Sequence, residues 1–133
     1  MDMIITFSGN KKVDAEYKGF KILSDQAVTS GGDGSAPAPF DLFLASIGTC
    51  SGVYVVYFCE KRGIPLDNIR VVMKMERDRE KRMISKITIE VELPPDFPDK
   101  YKKPLLHSID LCAVKKHMED PPQFELKTVT VNG

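Results

Sequence analysis

The chain has 133 residues, 42% of them hydrophobic, with 19 basic and 19 acidic side chains, three cysteines and no tryptophan. That length fits one domain, residues 1–133, with a real core, and the balanced charge argues against a general binder of nucleic acid or anionic membrane, which needs a dense patch of Lys and Arg. Met1-Asp2-Met3 does not resemble a signal peptide, and the longest apolar stretch, Leu42 to Phe58, is broken by Ser46, Gly48, Thr49, Ser51 and Gly52, so a cytoplasmic protein with a buried helix is expected and no membrane association.

The first forty residues alternate short apolar runs with turn chemistry. Met3–Phe7, Val13–Tyr17 and Phe20–Leu23 read as strands, joined by hairpins at Ser8-Gly9-Asn10 and Lys18-Gly19. The stretch from Thr29 to Pro39 is so dense in Gly, Ser and Pro that a loop is expected. It feeds a helix: Pro39 suits a first-turn position because its missing N–H costs nothing there, and Asp41 lies near the positive end of the helix dipole.

From Phe40 the sequence is apolar on nearly every face until Glu60, Lys61 and Arg62, and Gly63-Ile64-Pro65 supplies the stop. Such a helix is about 30 Å long. A small domain has difficulty covering a rod of that size by itself, which points to a subunit partner. Gly48 and Gly52, four residues apart, suit the close approach of another backbone or of the chain's own sheet.

Strands return at Ile69–Glu76 and Ile84–Leu93, separated by the charged turn Arg77–Glu80. The second alternates Ile87, Ile89, Val91 and Leu93 with Lys86, Thr88, Glu90 and Glu92, the pattern of an antiparallel strand with one face in water. A helical region is expected from Pro104 to Met118, with Leu105, Ile109 and Cys112 on one face, and a last strand from Phe124 to Val131. Strands, helix, hairpin, helix and strand make an α+β layout.

In a reducing compartment three cysteines are a poor disulfide framework, so each is core filler, metal ligand or reactive thiol. Cys50 and Cys59 are nine residues apart on one helix, on opposite faces and about 13 Å apart along its axis, and cannot bridge each other. Cys50 with Cys112 and Cys59 with Cys112 both remain possible pairs. His107 and His117 form no ligand cluster with the cysteines and read as helix-surface residues, so no metal is expected. Gly31-Gly32-Asp33-Gly34 lacks the Gly-Lys-Ser/Thr continuation of a phosphate-binding loop.

Gly31-Gly32-Asp33-Gly34, the run Pro39 to Cys50, and Cys112-Ala113-Val114-Lys115-Lys116-His117-Met118 together resemble the OsmC/Ohr family of thiol-dependent hydroperoxide reductases, and the likeness covers nearly the whole chain. The resemblance implies an OsmC-like α+β fold in which antiparallel sheets wrap around long central helices in an intertwined homodimer. It implies that Cys50 attacks a small organic hydroperoxide, that Cys112 resolves the sulfenic acid as a disulfide, and that an external dithiol, with no bound cofactor, restores both.

Family peroxidases hold the thiolate with an N-terminal arginine and a glutamate at the start of the central helix. Here the first arginine is Arg62, the N-terminal hairpin offers Lys11 and Lys12, and Phe40 stands at the glutamate's place with Asp41 one step later. Lys11 and Asp41 are therefore the candidate electrostatic partners, although a lysine lacks the planar fork of arginine. Ala113 occupies a position where proline commonly follows the second cysteine. The alternative reading is a dimeric OsmC-like protein that binds a small ligand or passes a disulfide without efficient peroxide turnover.

Overall fold

The computed structural model describes residues 2–132 and falls into two compact units, residues 1–46 and 47–133. The fold is α+β with antiparallel sheets, as expected. In the first unit β1 (Ile4–Gly9), β2 (Lys12–Tyr17) and β3 (Phe20–Ser24) form a meander in that spatial order. The turns follow from local chemistry: Lys18 and Gly19 both have positive φ, 52° and 81°, as a tight hairpin turn matched to the strand twist requires.

The Gly-rich segment after β3 is a fixed loop, organised by a carboxylate. Asp25 is fully buried and accepts backbone N–H groups from Gln26 at 2.7 Å, Ser35 at 3.0 Å and Asp33 at 3.5 Å, together with the Ser35 hydroxyl at 2.6 Å. Those donors hold the Asp25 carboxyl well below the usual carboxylate range, the Ser35 hydroxyl contributing most. Gly32 is required because a Cβ there would stand 2.1 Å from the Gln26 carbonyl oxygen. Asn10 and Lys12 tie the β1–β2 end of the sheet to this loop, the first through Gly31 and Asp33 and the second through Asp33 at 3.2 Å.

Helix α1 spans Pro39–Lys61, with proline in its first turn as expected and Asp41 accepting the Ala38 N–H at 3.3 Å. It ends on Gly63 at φ 63°, where the Ile64 N–H reaches the Cys59 carbonyl at 3.0 Å and the Gly63 N–H reaches that of Glu60 at 3.3 Å. This crossed pair satisfies carbonyls the helix end would otherwise leave unpaired.

In the second unit β4 (Arg70–Asp78) and β5 (Met83–Glu92) form an antiparallel hairpin with a register shift at Glu76/Arg77. Asp78 accepts the N–H groups of Glu80 and Lys81, fixing its turn. Arg70 and Glu92 face each other across the strands in a two-point ion pair at 2.8 and 3.1 Å. The core gathers Val55, Phe58 and Cys59 of α1 with Phe97, Leu105 and Ile109, and Val71, Val91 and Leu93 of the hairpin pack on it. Gly48 packs on that hairpin too, since a Cβ there would lie 2.7 Å from the Met73 sulfur, whereas Gly52 faces open space. Of the two expectations for this pair, the chain's own sheet holds at Gly48.

Two sequence expectations are corrected. The helical region from Pro104 to Met118 is two helices, α2 (Lys102–Ile109) and α3 (Ala113–Glu119), because Cys112 adopts an extended ψ of 124° between them. The strand from Phe124 to Val131 is not formed: residues 121–132 hold no regular element, and Leu126 is 96% exposed. A strand requires a neighbour for its N–H and C=O groups, and among the described residues none pairs with it.

Part of α1 is likewise uncovered. Its length and apolarity would suffice to cross a membrane; Ile47, Ser51, Val55, Phe58 and Cys59 form one buried stripe while Phe43, Val53 and Tyr57 stay exposed.

The Asp25 loop gives a pH signature. A carboxyl whose folded pKa is depressed adds stability above its unfolded pKa of about 4, and that stability is lost as pH falls toward the folded value. Asp25→Asn is expected to lower the thermal midpoint at pH 7, and the gap from wild type should close progressively below about pH 4. Thermal unfolding followed by circular dichroism across that range checks this; a gap independent of pH would refute it.

Candidate functional site

The break between α2 and α3 places Cys112 at the head of α3, where it is buried, against the half-buried Cys50 of α1. The two thiols are unbridged and hydrogen-bonded to each other. The sulfur of Cys50 also meets the backbone N–H groups of Val114 and Ala113. These belong to the first turn of α3, whose N–H groups have no partner within the helix and point outward.

The two thiols respond to this arrangement in opposite ways. Burial pushes Cys50 up, but the hydrogen bond from Cys112 and the N–H groups of Val114 and Ala113 outweigh it and hold Cys50 below an ordinary thiol. Burial pushes Cys112 up as well, its hydrogen bond to Cys50 pushes the same way, and the N–H groups of Lys115 and Val114 only partly offset both. One sulfur is thus favoured as the anion and the other as its protonated donor. Cys59 is fully buried, and burial raises it despite the nearby Arg62 charge, which fits core filler. Arg62 itself lies 3.6 Å over the Phe58 ring and donates to the Phe58 carbonyl.

Of the residues singled out from sequence, the structure brings Cys50 and Cys112 together. Lys11 and Asp41 belong to the first unit: Lys11 occupies the β1–β2 turn, its side chain 3.6 Å from where a Gly31 Cβ would stand, and Asp41 accepts the Ala38 N–H. His107 and His117 are exposed on α2 and α3, and His117 Nδ1 lies 2.6 Å from the Ala113 carbonyl oxygen. Among the described residues no three His, Cys, Asp or Glu side chains gather as a metal would need.

Sequence reasoning missed the donors. A backbone N–H has no letter of its own, but its absence does. Proline at position 113 would have no N–H to offer Cys50, so the alanine that departs from the resembled pattern adds a donor to the site. It also missed the ion pair of Asp110 with Lys115 around Cys112, whose signal was two opposite charges flanking a cysteine.

Ala113→Pro tests the donor directly, because proline is tolerated in the first turn of a helix. Its loss should raise the Cys50 pKa and slow Cys50 alkylation at neutral pH severalfold, with no change well above the thiol pKa. Rates of iodoacetamide modification, resolved by cysteine with mass spectrometry, give the result; an unchanged pH profile would contradict the assignment.

Comparison with known proteins bears on the same residues. A family model described as OsmC-like protein matches residues 32–127, a span that includes both Cys50 and Cys112. No curated protein matches the chain in sequence. Among solved structures, a protein of Psychrobacter arcticus 273-4 assigned to the osmotic stress and detoxification response superposes with a TM-score of 0.71 at 21% identity, over 86% of this chain and 85% of that one. An OsmC-like protein from Mycoplasma pneumoniae gives 0.68 at 11% identity, over 90% and 87%. An organic hydroperoxide resistance protein OsmC from Legionella pneumophila gives 0.54 at 16% identity, over 89% of each chain. At these identities the likeness establishes the shared fold, while the family model spans well over half of the sequence: the chain belongs to the OsmC-like protein family.

Proposed function

We propose that the protein is a cysteine-based peroxidase that reduces small organic hydroperoxides, with Cys50 as the attacking thiol and Cys112 as the resolving one. The observation that carries this reading is the Cys50 sulfur held by a thiol donor and two backbone N–H groups, with its disulfide partner already in contact. The hydroperoxide resistance protein among the structural relatives supports the substrate class.

The chemistry follows from the asymmetry of the pair. The Cys50 thiolate attacks the outer oxygen of the hydroperoxide; the O–O bond breaks, the alcohol leaves after taking a proton, and Cys50 becomes a sulfenic acid. Cys112 then attacks the Cys50 sulfur, the hydroxyl leaves as water with the Cys112 proton, and the disulfide forms. An external dithiol returns both sulfurs to the reduced state. Two thiols in hydrogen-bonding contact need only a short approach to reach the S–S distance of about 2 Å. Lys11 and Asp41 are the proposed supporting charges, and no bound cofactor enters any step.

The working unit is proposed to be a cytoplasmic homodimer. Support lies in what a single chain leaves uncovered. Among the described residues of the first unit the buried ones are the polar Asp14, Ser24 and Asp25, while Phe7 is 84% and Phe20 73% exposed on its sheet. A three-stranded sheet without a buried apolar residue lacks the driving force to stand alone. In the second unit Val53 and Tyr57 of α1 and the segment from Phe124 to Val131 are likewise uncovered, and each unit by itself leaves apolar side chains that a second copy could cover.

Titrating the reduced protein with cumene hydroperoxide and following it by mass spectrometry tests the catalytic reading. Wild type and Cys59→Ser should form one Cys50–Cys112 disulfide per equivalent of peroxide. Cys112→Ser should stop at a Cys50 sulfenic acid, and Cys50→Ser should consume no peroxide on this timescale. Thiols that stay reduced under mild peroxide would overturn the peroxidase and favour a binding or disulfide-passing role.

A further inference from the structure

The last turns of α1 and the length of α2 enclose a groove of about 410 Å³, within the roughly 300–1,000 Å³ that small-ligand sites occupy. Contacts at the start of α2 set its direction. Tyr101, just before α2, meets the Phe58 ring edge-on at 5.9 Å, and its ring centre lies 5.2 Å from the Arg62 guanidinium. From there α2 runs back along α1, so the groove has two unlike ends. Tyr57 and Leu111 line the end toward Cys50, Lys61 and Arg62 the far end, with His107 and Ser108 between.

The charge of this lining is one-sided. Two cations, Lys61 and Arg62, and the imidazole of His107 line the groove; among the described residues no carboxylate does, and none of the three takes part in an ion pair. Asp110, at the end of α2, is held by Lys115 instead. In a chain with as many acidic as basic side chains the imbalance is local.

Part of it serves the helix. Lys61 lies in the last turn of α1, where a cation is favoured, and Arg62 Nη1 donates to the Phe58 carbonyl at 3.0 Å. That bond leaves Nε and Nη2, the edge of a guanidinium that grips a carboxylate at two points. The fork is also held in place, 3.6 Å over the Phe58 ring, so an anion meets a donor already ordered. Helix capping does not account for His107 and Ser108, which α2 brings to the same groove. Nor does an apolar face of a second copy suit it, because covering Lys61 and Arg62 would strip their water without replacing it. A bare inorganic anion would leave Tyr57 and Leu111 unused.

We propose that this groove binds a small organic carboxylate, its charged head between Lys61, Arg62 and His107 and its aliphatic or aromatic body over Tyr57 and Leu111. The site is separate from the thiol chemistry and does not depend on it.

The test titrates reduced, isotope-labelled full-length protein with octanoate, octanamide and inorganic phosphate while backbone amide resonances are followed by NMR. Octanoate should give saturable shifts confined to residues 57–63 and 105–111, and octanamide and phosphate should bind about tenfold more weakly. Arg62→Lys, which keeps the charge and loses the fork, and Lys61→Gln should each weaken octanoate severalfold. Leu111→Glu, which sets a carboxylate in the groove at an exposed position, should abolish binding, with circular dichroism showing that each variant is folded. Octanamide as tight as octanoate, phosphate as strong at the same amides, shifts centred elsewhere, or unaltered binding in all three variants each overturns the proposal. So does the absence of saturable shifts, the result expected if a second copy closes the groove. Failure of the peroxide titration would overturn the redox reading and leave this site standing, since neither Cys50 nor Cys112 takes part in it.

Discussion

A thiolate inside a protein is costly unless donors replace the water it has lost, and a sulfur on the side of a helix cannot draw on that helix's own backbone, whose N–H groups are already spent. Cys50 is in this position. Its donors come from a separate segment, the first turn of α3, whose N–H groups lack intrahelical partners, and from the Cys112 thiol at the head of that turn. The break after Ile109 creates the helix start that supplies the donors and delivers the second sulfur in one piece of backbone. Had the helix continued through residues 110–112, the N–H groups of Ala113 and Val114 would have been bonded to carbonyls a turn earlier.

The donors to Cys50 are backbone groups and a thiol rather than a cationic side chain. The N-terminal strands carry no arginine, and Lys11 and Lys12 lie in or next to the β1–β2 turn. Dipolar donors fixed in place need no side-chain ordering, so they hold an anion without the entropic cost of immobilising a long cation. Ala113 belongs to the same arrangement, since a proline there would leave that backbone position without a donor.

Much of the fold was legible because its punctuation is local. Pro39 and Gly63 mark the ends of α1, Lys18-Gly19 makes a hairpin turn by its own backbone preference, and the alternation from Ile84 to Leu93 matches β5. The break between α2 and α3 was not legible, because Leu105, Ile109 and Cys112 keep helical spacing and all three are buried, so the apolar pattern runs on while the backbone leaves the helix. The segment from Phe124 to Val131 has the composition of a strand, but a strand is a relation between two segments, and its partner is absent from the described residues. For the site, helix geometry excluded Cys50 with Cys59 and left two possible pairs; only the folded chain brings Cys50 to Cys112 and leaves Cys59 in the core.

The proposed chemistry requires that the environment of one sulfur, Cys50, makes it reactive. Stopped-flow measurement of a single turnover with an organic hydroperoxide at pH 7, compared with cysteine free in solution, tests it most directly. The expected result is a second-order rate well above that of the free thiol, retained in Cys59→Ser and abolished in Cys50→Ser. A rate no faster than free cysteine, or one that survives in Cys50→Ser, would contradict it.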